Sequence, residues 1–161
     1  MRVETDRLLL RSFEESDLDG LHELLTSDMY YVDDVAPSTK ADTQDILKVL
    51  MQNSKEARSF AIVDRVSGDF IGRIGYKNAM MGFMFLQRHN GKGYAGESGK
   101  AVIDYAFGED GLGSISAGCY ADNVPMQKLL EKLGFPKESI KVEKKEHDGV
   151  VKDKFVYTLM A

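Results

Sequence analysis

GFMFLQRHNGKGYAGESGKAVIDYAF, residues 82–107, joins a short apolar run to four glycines, Gly91, Gly93, Gly96 and Gly99, and then to a segment with helical periodicity. The run Gly82 to Leu86 has the length and bulky side chains of a strand. Beyond the glycines, Ala95, Val102, Ile103, Ala106 and Phe107 recur at the three-to-four residue spacing of an amphipathic helix. A glycine inside a helix costs about 1 kcal/mol relative to alanine, so a helix start this rich in glycine needs a reason. Main-chain amides at a helix N-terminus that no Cβ shields make a docking site for a phosphate group. A plain surface loop accounts for Gly91 and Gly93, but less well for Gly96 and Gly99.

Several phosphate loops can be laid over these residues. Gly91-Lys92-Gly93-Tyr94-Ala95-Gly96 satisfies the dinucleotide pattern G-x-G-x-x-G. That pattern belongs in a βαβ unit with an acidic residue about 20 positions further on, whereas here Ser114 to Tyr120 is the only clear strand of the required kind to follow. A Walker A loop is absent, because Gly91-Lys92 is followed by glycine and not by Ser or Thr. A protein-kinase loop needs more chain than remains. Arg88-x-x-Gly91-x-Gly93 offers a third option, and two further segments bear on it. These are Thr5-Asp6-Arg7-Leu8-Leu9-Leu10-Arg11, with Asp17 a few residues on, and Asn123-Val124-Pro125-Met126-Gln127-Lys128-Leu129-Leu130-Glu131-Lys132-Leu133-Gly134-Phe135.

In this order and spacing the three segments resemble the GNAT N-acetyltransferases. Arg88 to Ala95 is similar to that family's pyrophosphate loop. Thr5 to Asp17 resembles the first strand and helix of the branch that acetylates ribosomal-protein N-termini, and Asn123 to Phe135 the family's last helix. The resemblance covers nearly the whole chain. It implies an α/β, single-domain GNAT fold over residues 1–161, a mixed, mostly antiparallel sheet flanked by helices with a splayed central strand pair.

Composition sets bounds. The 161 residues suit one domain with a real core, and a hydrophobic share of 43% beside 29% charged residues is ordinary for a soluble globular protein. The apolar stretch Ala79 to Leu86 is too short to span a bilayer, and Met1 to Asp6 lacks the apolar core of a signal peptide. Cys119 is alone, so no disulfide framework is expected and a reducing cytoplasm is favoured. A net charge of −5 argues against nucleic acid as the main partner. The lysines of Lys141 to Lys154 are interleaved with Glu143, Glu146, Asp148 and Asp153, which reads as a solvated hairpin. His22, His89 and His147 have no metal-site spacing, so no metal is expected.

Along the chain, Arg7 to Phe13 reads as an opening strand, and Ser16-x-x-Asp19 as the cap of a first helix. A second helix is expected from about Lys40 to Ala57 with Ile46, Leu47, Leu50 and Met51 inward. Strands Arg58 to Asp64 and Phe70 to Lys77 flank the turn Val66-Ser67-Gly68-Asp69. Strand Ser114 to Tyr120 and helix Met126 to Leu133 follow, the latter stopped by Gly134. Two last strands, about Ser139 to Glu146 and Val150 to Met160, are expected to pair around Asp148-Gly149.

The resemblance implies acetyl-CoA as donor and an amine as acceptor. Pantetheine would enter beside the strand Met81 to Leu86 and pair with its edge, meeting the amides of Phe85 and Leu86, one of them an oxyanion donor. Amides of His89, Asn90, Gly91, Lys92, Gly93, Tyr94 and Ala95 would hold the pyrophosphate, and Asn123 would contact the pantetheine arm. Lys128 either reaches CoA phosphates or faces solvent. Two proton donors common in the family are missing: their positions are Leu130 and Met126. Tyr120, Asp153 and Tyr157 are substitutes, and catalytic residues stay unassigned. At pH 7.4 an α-amine is roughly a quarter deprotonated and a lysine-type amine about one part in a thousand, so a site without a base suits an α-amine. Asp28 to Val35 is either the acceptor loop, its aromatics and carboxylates holding a cation, or a polar connection. A non-catalytic acyl-CoA-binding or sensing domain is the alternative from another class, and a dinucleotide module a further one. The acceptor and the oligomeric state stay open, a homodimer included.

Overall fold

The computed structural model describes residues 1–27, 39–147 and 149–161. In chain order they form β1 (Arg2–Glu4), β2 (Leu8–Arg11), α1 (Leu18–Leu25), α2 (Lys40–Leu50), β3 (Ala57–Asp64), β4 (Phe70–Lys77), β5 (Met80–Phe85), α3 (Tyr94–Gly108), β6 (Ser114–Tyr120), α4 (Val124–Lys132), β7 (Lys141–His147) and β8 (Val150–Met160). The strands make one sheet in the order β1-β2-β3-β4-β5-β6-β8-β7. Only the β5–β6 neighbours run parallel among the described residues. This is the mixed, mostly antiparallel α/β architecture expected of a GNAT fold.

Both faces of the sheet are covered, which explains why Phe60, Ala61, Ile62 and Val63 are all buried in consecutive positions. On one face Phe60, Ile62, Ile74 and Ile115 pack with Val102, Ile103 and Ala106 of α3 and Leu130 of α4. On the other, Ala61 packs with Leu21 and Leu25 of α1 and Leu47 of α2. Alternation along a strand sends successive side chains to opposite faces, so β3 feeds both clusters. No described helix is long and apolar enough to cross a membrane.

Several boundaries differ from the sequence expectation. β1 was not foreseen: three residues are too few to show a period, and the pairing of Val3 with Leu10 creates it. The first helix does not start from a cap at Ser16: a capping box between Glu14 and Asp17 opens a 3-10 turn over Glu15–Asp17, and α1 follows with Asp17 as its N-cap. Asp17 is buried, and Arg11 donates to both of its oxygens at 2.8 and 2.9 Å. α2 begins at Lys40 as expected, capped by Thr39, whose hydroxyl accepts from Asp42 N–H, but it ends at Leu50, and Met51 is 41% exposed. α4, capped by Asn123, starts at Val124, two residues before its expected start, and the last hairpin begins at Lys141 because Lys137–Ser139 forms a 3-10 turn. β7 and β8 pair up to His147 opposite Val150; Asp148 itself lies outside the described residues.

α4 ends on Gly134 at φ +96°, with Gly134 N–H donating to Glu131 and Phe135 N–H to Leu130, both at 3.0 Å. That pair of bonds is a Schellman cap, and it turns Phe135 back into the core. Gly99 has a packing reason rather than a phosphate one. A Cβ there would stand 2.8 Å from Leu133 Cδ1, so the glycine lets α3 and α4 approach.

Candidate active site: a parted strand pair and a glycine loop

The site begins where the sheet comes apart. β5 pairs with β4 along six residues, from Met80 opposite Lys77 to Phe85 opposite Gly72. With β6 it pairs at two only, Met80 with Ser116 and Met81 with Ala117. From Gly82 onward β5 has a strand on one side alone.

Which main-chain groups face the gap follows from the alternation of an antiparallel ladder. Leu86 N–H donates to Ile71 carbonyl at 2.9 Å, toward β4, and Ser116 N–H donates to Ala79 carbonyl at 2.8 Å, across to β6. Both bonds set the same phase: even-numbered residues bond to β4, odd-numbered ones turn toward β6. Phe83 and Phe85 therefore present their N–H and C=O groups to the gap. The expectation that Leu86 would offer its amide is corrected, since that amide is committed to Ile71.

Past Leu86 the chain makes a 3-10 turn over Gln87–His89 and reaches Gly91 at φ +75° and Gly93 at φ +80°. Both angles lie in the left-handed region where only glycine sits without strain. α3 starts immediately after, and its first internal bond is Glu97 N–H to Gly93 carbonyl at 3.2 Å. The amides of Tyr94, Ala95 and Gly96 thus have no partner within the helix, and they point out of its positive end. A cleft of about 160 Å³ sits here, lined by Phe85, His89, Asn90, Gly91, Gly93, Tyr94, Ala95, Gly96, Leu129 and Lys132. It runs into a second of about 450 Å³ between α3 and α4, since Gly93, Gly96 and Lys132 line both.

Seven of the residues expected to meet CoA are brought together in that lining. Four are not. Leu86 is buried beneath it, and Lys92 is exposed, its carbonyl turned to Arg7. Asn123 spends its side-chain oxygen on Met126 N–H at 3.1 Å as the cap of α4. Lys128 is exposed and does not line the cleft; Lys132, one helical turn later, does. The signal for Lys132 was the helical period from Leu129, an apolar lining residue three positions earlier.

The loop is tied down on two sides. Arg88 donates to Glu23 on α1, forming an ion pair. Arg7 donates through Nη1 to Lys92 carbonyl at 2.9 Å and through Nε to Glu97 at 2.7 Å. Burial pushes the Glu97 carboxyl up, but hydrogen bonds from Thr5 and from Arg7 outweigh it, and Glu97 lies below the ordinary carboxylate range. Burial, and then the charges of Lys92 and Arg88, hold His89 below its ordinary value, so the ring is neutral at pH 7. Neither of its ring nitrogens has a partner among the described residues.

Among the described residues no side chain stands out as a proton donor. Leu130 is fully buried, and Met126 is packed against the core. Tyr157 is 1% exposed within the α3/α4-side core, its hydroxyl pushed up by burial. Asp153 is ion-paired with Lys144, and Lys152 lies 5.8 Å over the Tyr120 ring. At the fork, on the face away from α3, Lys154 Cε comes within 2.7 Å of where a Gly118 Cβ would stand. Asp28 to Val35 lie outside the described residues. Among the described residues no group of three or more His, Cys, Asp or Glu could hold a metal.

Known proteins are similar to this chain. YnaD of Bacillus subtilis (strain 168), an uncharacterized N-acetyltransferase, is 30% identical over 149 residues, 86% of this chain and 84% of its own. A GNAT-family acetyltransferase from Bacillus anthracis superposes with a TM-score of 0.85 at 27% identity, over 99% of this chain and 98% of the other. The spermidine N-acetyltransferase of Vibrio cholerae, solved with CoA and spermine, superposes with a TM-score of 0.84 at 21% identity, over 97% and 96%. At that identity the likeness is one of fold. Residues 7–136 match the family described as the acetyltransferase (GNAT) domain. The chain is a member of the GNAT acetyltransferases.

Proposed function

We propose that this protein transfers the acetyl group of acetyl-CoA to an α-amine or another amine of comparably low pKa, as in the ribosomal-protein N-terminal branch of the family. The carrying observation is the parted β5–β6 pair, whose unpaired main-chain groups at Phe83 and Phe85 lead directly into the glycine loop. Pantetheine adds to β5 as a short strand, and the diphosphate rests on the amides from Gly91 to Gly96. Lys132, at the junction of the two clefts, meets a CoA phosphate.

The neutral amine attacks the thioester carbon. A C–N bond forms, the C–S bond breaks, the electron pair leaves on sulfur, and the amine's extra proton goes to water or to the thiolate. An N–H of Phe83 or Phe85 steadies the oxygen as it gains charge. An acyl-enzyme has no support: Cys119 is 6% exposed and burial raises its thiol pKa, which is the opposite of what a nucleophile needs. A site whose described residues hold no poised base selects acceptors already partly deprotonated at neutral pH.

The test is thiol release from acetyl-CoA with matched α-amine, lysine-like and polyamine acceptors. Faster turnover of the α-amine supports the reading, and equal rates overturn the acceptor preference. The second reading, an acyl-CoA sensor, is favoured by the aliphatic residues at 126 and 130; tight CoA binding with no turnover on any amine would establish it.

A further inference from the structure

Arg7 stands 85 residues before Lys92 in the chain, yet its guanidinium closes the glycine loop from behind. It donates Nη1–H to Lys92 carbonyl at 2.9 Å, and Nε–H to Glu97 Oε2 at 2.7 Å. Its main-chain N–H reaches Glu97 Oε1 at 2.9 Å, where Thr5 Oγ1 also donates at 2.5 Å. The guanidinium carbon lies 4.7 Å from the centre of the Tyr94 ring. One residue thus holds the bend, the first residue of α3 and the first turn of α3 together.

A trans peptide unit is rigid, and its C=O and N–H point in opposite directions. Fixing the Lys92 carbonyl on Arg7 therefore turns the Gly93 N–H away from Arg7, toward the cleft that Gly93 lines. Rotation of that peptide unit would be cheap without such a hold, because glycine accepts φ of either sign. The rotated form would aim a carbonyl at the anion in place of an amide. We propose that Arg7 is a positioning residue for the CoA diphosphate: through the Lys92 carbonyl it keeps the Lys92–Gly93 peptide in the anion-receiving orientation. The inference rests on the acetyl-CoA reading given above.

A role in overall stability is a poor rival. Arg7 is 48% exposed and Glu97 18%, and ion pairs this open contribute little to folding. The two roles separate experimentally. CoA affinity is measured by calorimetry, and KM and kcat are measured with acetyl-CoA and with S-acetyl-N-acetylcysteamine, a thioester with no diphosphate. Arg7→Met is expected to raise the CoA Kd about tenfold, with KM for acetyl-CoA rising in parallel. Saturating kcat and turnover of the truncated thioester should stay within about twofold of the unaltered protein. Arg7→Lys keeps a charge beside Glu97 but has one point donor for two acceptors, so its Kd should rise in the same direction by less.

An unchanged CoA Kd in Arg7→Met overturns the inference, as does equal loss with the truncated thioester, which would mark a structural role. If Arg7→Met fails to fold, Arg7→Lys decides, and a Kd equal to that of the unaltered protein sinks the proposal. Absence of CoA binding by the unaltered protein retires the acetyl-CoA reading, and this inference with it.

Discussion

At its C-terminal end α3 runs into Asp110, whose side chain is 2% exposed and takes hydrogen bonds at 2.6 and 2.7 Å from Arg58 and another from the Tyr76 hydroxyl. At its N-terminal end the same helix opens with amides that meet no acceptor among the described residues and with two glycines at positive φ. The difference shows how one helix serves two purposes. At the closed end both Asp110 carboxylate oxygens find partners inside the chain, and so that side chain can be buried. The open end leaves its donors unmatched and is built from the residue that covers them least. Arg58 holds Asp110 below the ordinary carboxylate range, while burial drives the Tyr76 hydroxyl up, so all three groups keep the protonation that their bonds need.

Breaking the closed end should have the largest effect. Asp110→Ala strands Arg58 in a half-dry site and is expected to cost about 3–5 kcal/mol of stability, read from urea unfolding. CoA affinity in the folded fraction should stay within about twofold if the two ends are independent. Loss of affinity as large as the loss of stability would show that they are not.

Next comes the open end. Gly91→Val and Gly93→Val each impose about 1–2 kcal/mol of backbone strain at positive φ, which shifts the bend that aims the amides. CoA Kd, measured by calorimetry, should rise at least about tenfold. A valine at either position that binds CoA normally would remove the glycines from the site.

Acid titration sharpens the contrast. Asp110 is depressed in the folded state, so its contribution is complete above the ordinary carboxylate pKa of about 4 and lost as pH falls through the lower folded value. Urea midpoints should therefore drop below about pH 4, and Asp110→Asn should flatten that limb. Glu97 is depressed for the same kind of reason, so CoA affinity should weaken on acidification in a way that Glu97→Gln blunts. The smallest effect is expected on the rim. Lys132→Ala should weaken CoA about two- to fivefold and Lys128→Ala not measurably, as a competition assay would resolve.

The sequence showed the open end far better than the closed one. Gly91 and Gly93 stand out because positive φ leaves a mark on residue choice, and Val102, Ile103 and Ala106 because a packed helix face leaves a period. Arg58, Tyr76 and Asp110 left no such mark: they lie on three elements, 34 and 52 residues apart, and meet only once the sheet is assembled. The Arg7 contact leaves no mark for the same reason, since its partner Lys92 lies 85 residues further on. For Leu86 the difference is a single step of strand phase, and for Lys128 one helical turn. Which amide faces a gap depends on strand register, and which lysine reaches a cleft depends on how far along α4 the cleft lies, and composition encodes neither. The end of α2 is not marked in sequence because Met51 to Ala57 holds no proline or glycine; in the fold the chain leaves the helix after Leu50, and the Asn53 side chain donates to Leu50 carbonyl at 3.4 Å and accepts from Ser59 N–H at 2.8 Å.

Two registered pairs are all that join β5 to β6 in the middle of an eight-stranded sheet. Whatever molecule lies in that wedge acts as a keystone, bracing the β1–β5 arm against the β6–β8 arm. Resistance to unfolding should then climb with the logarithm of its concentration, so that the protein's persistence becomes a gauge of donor supply.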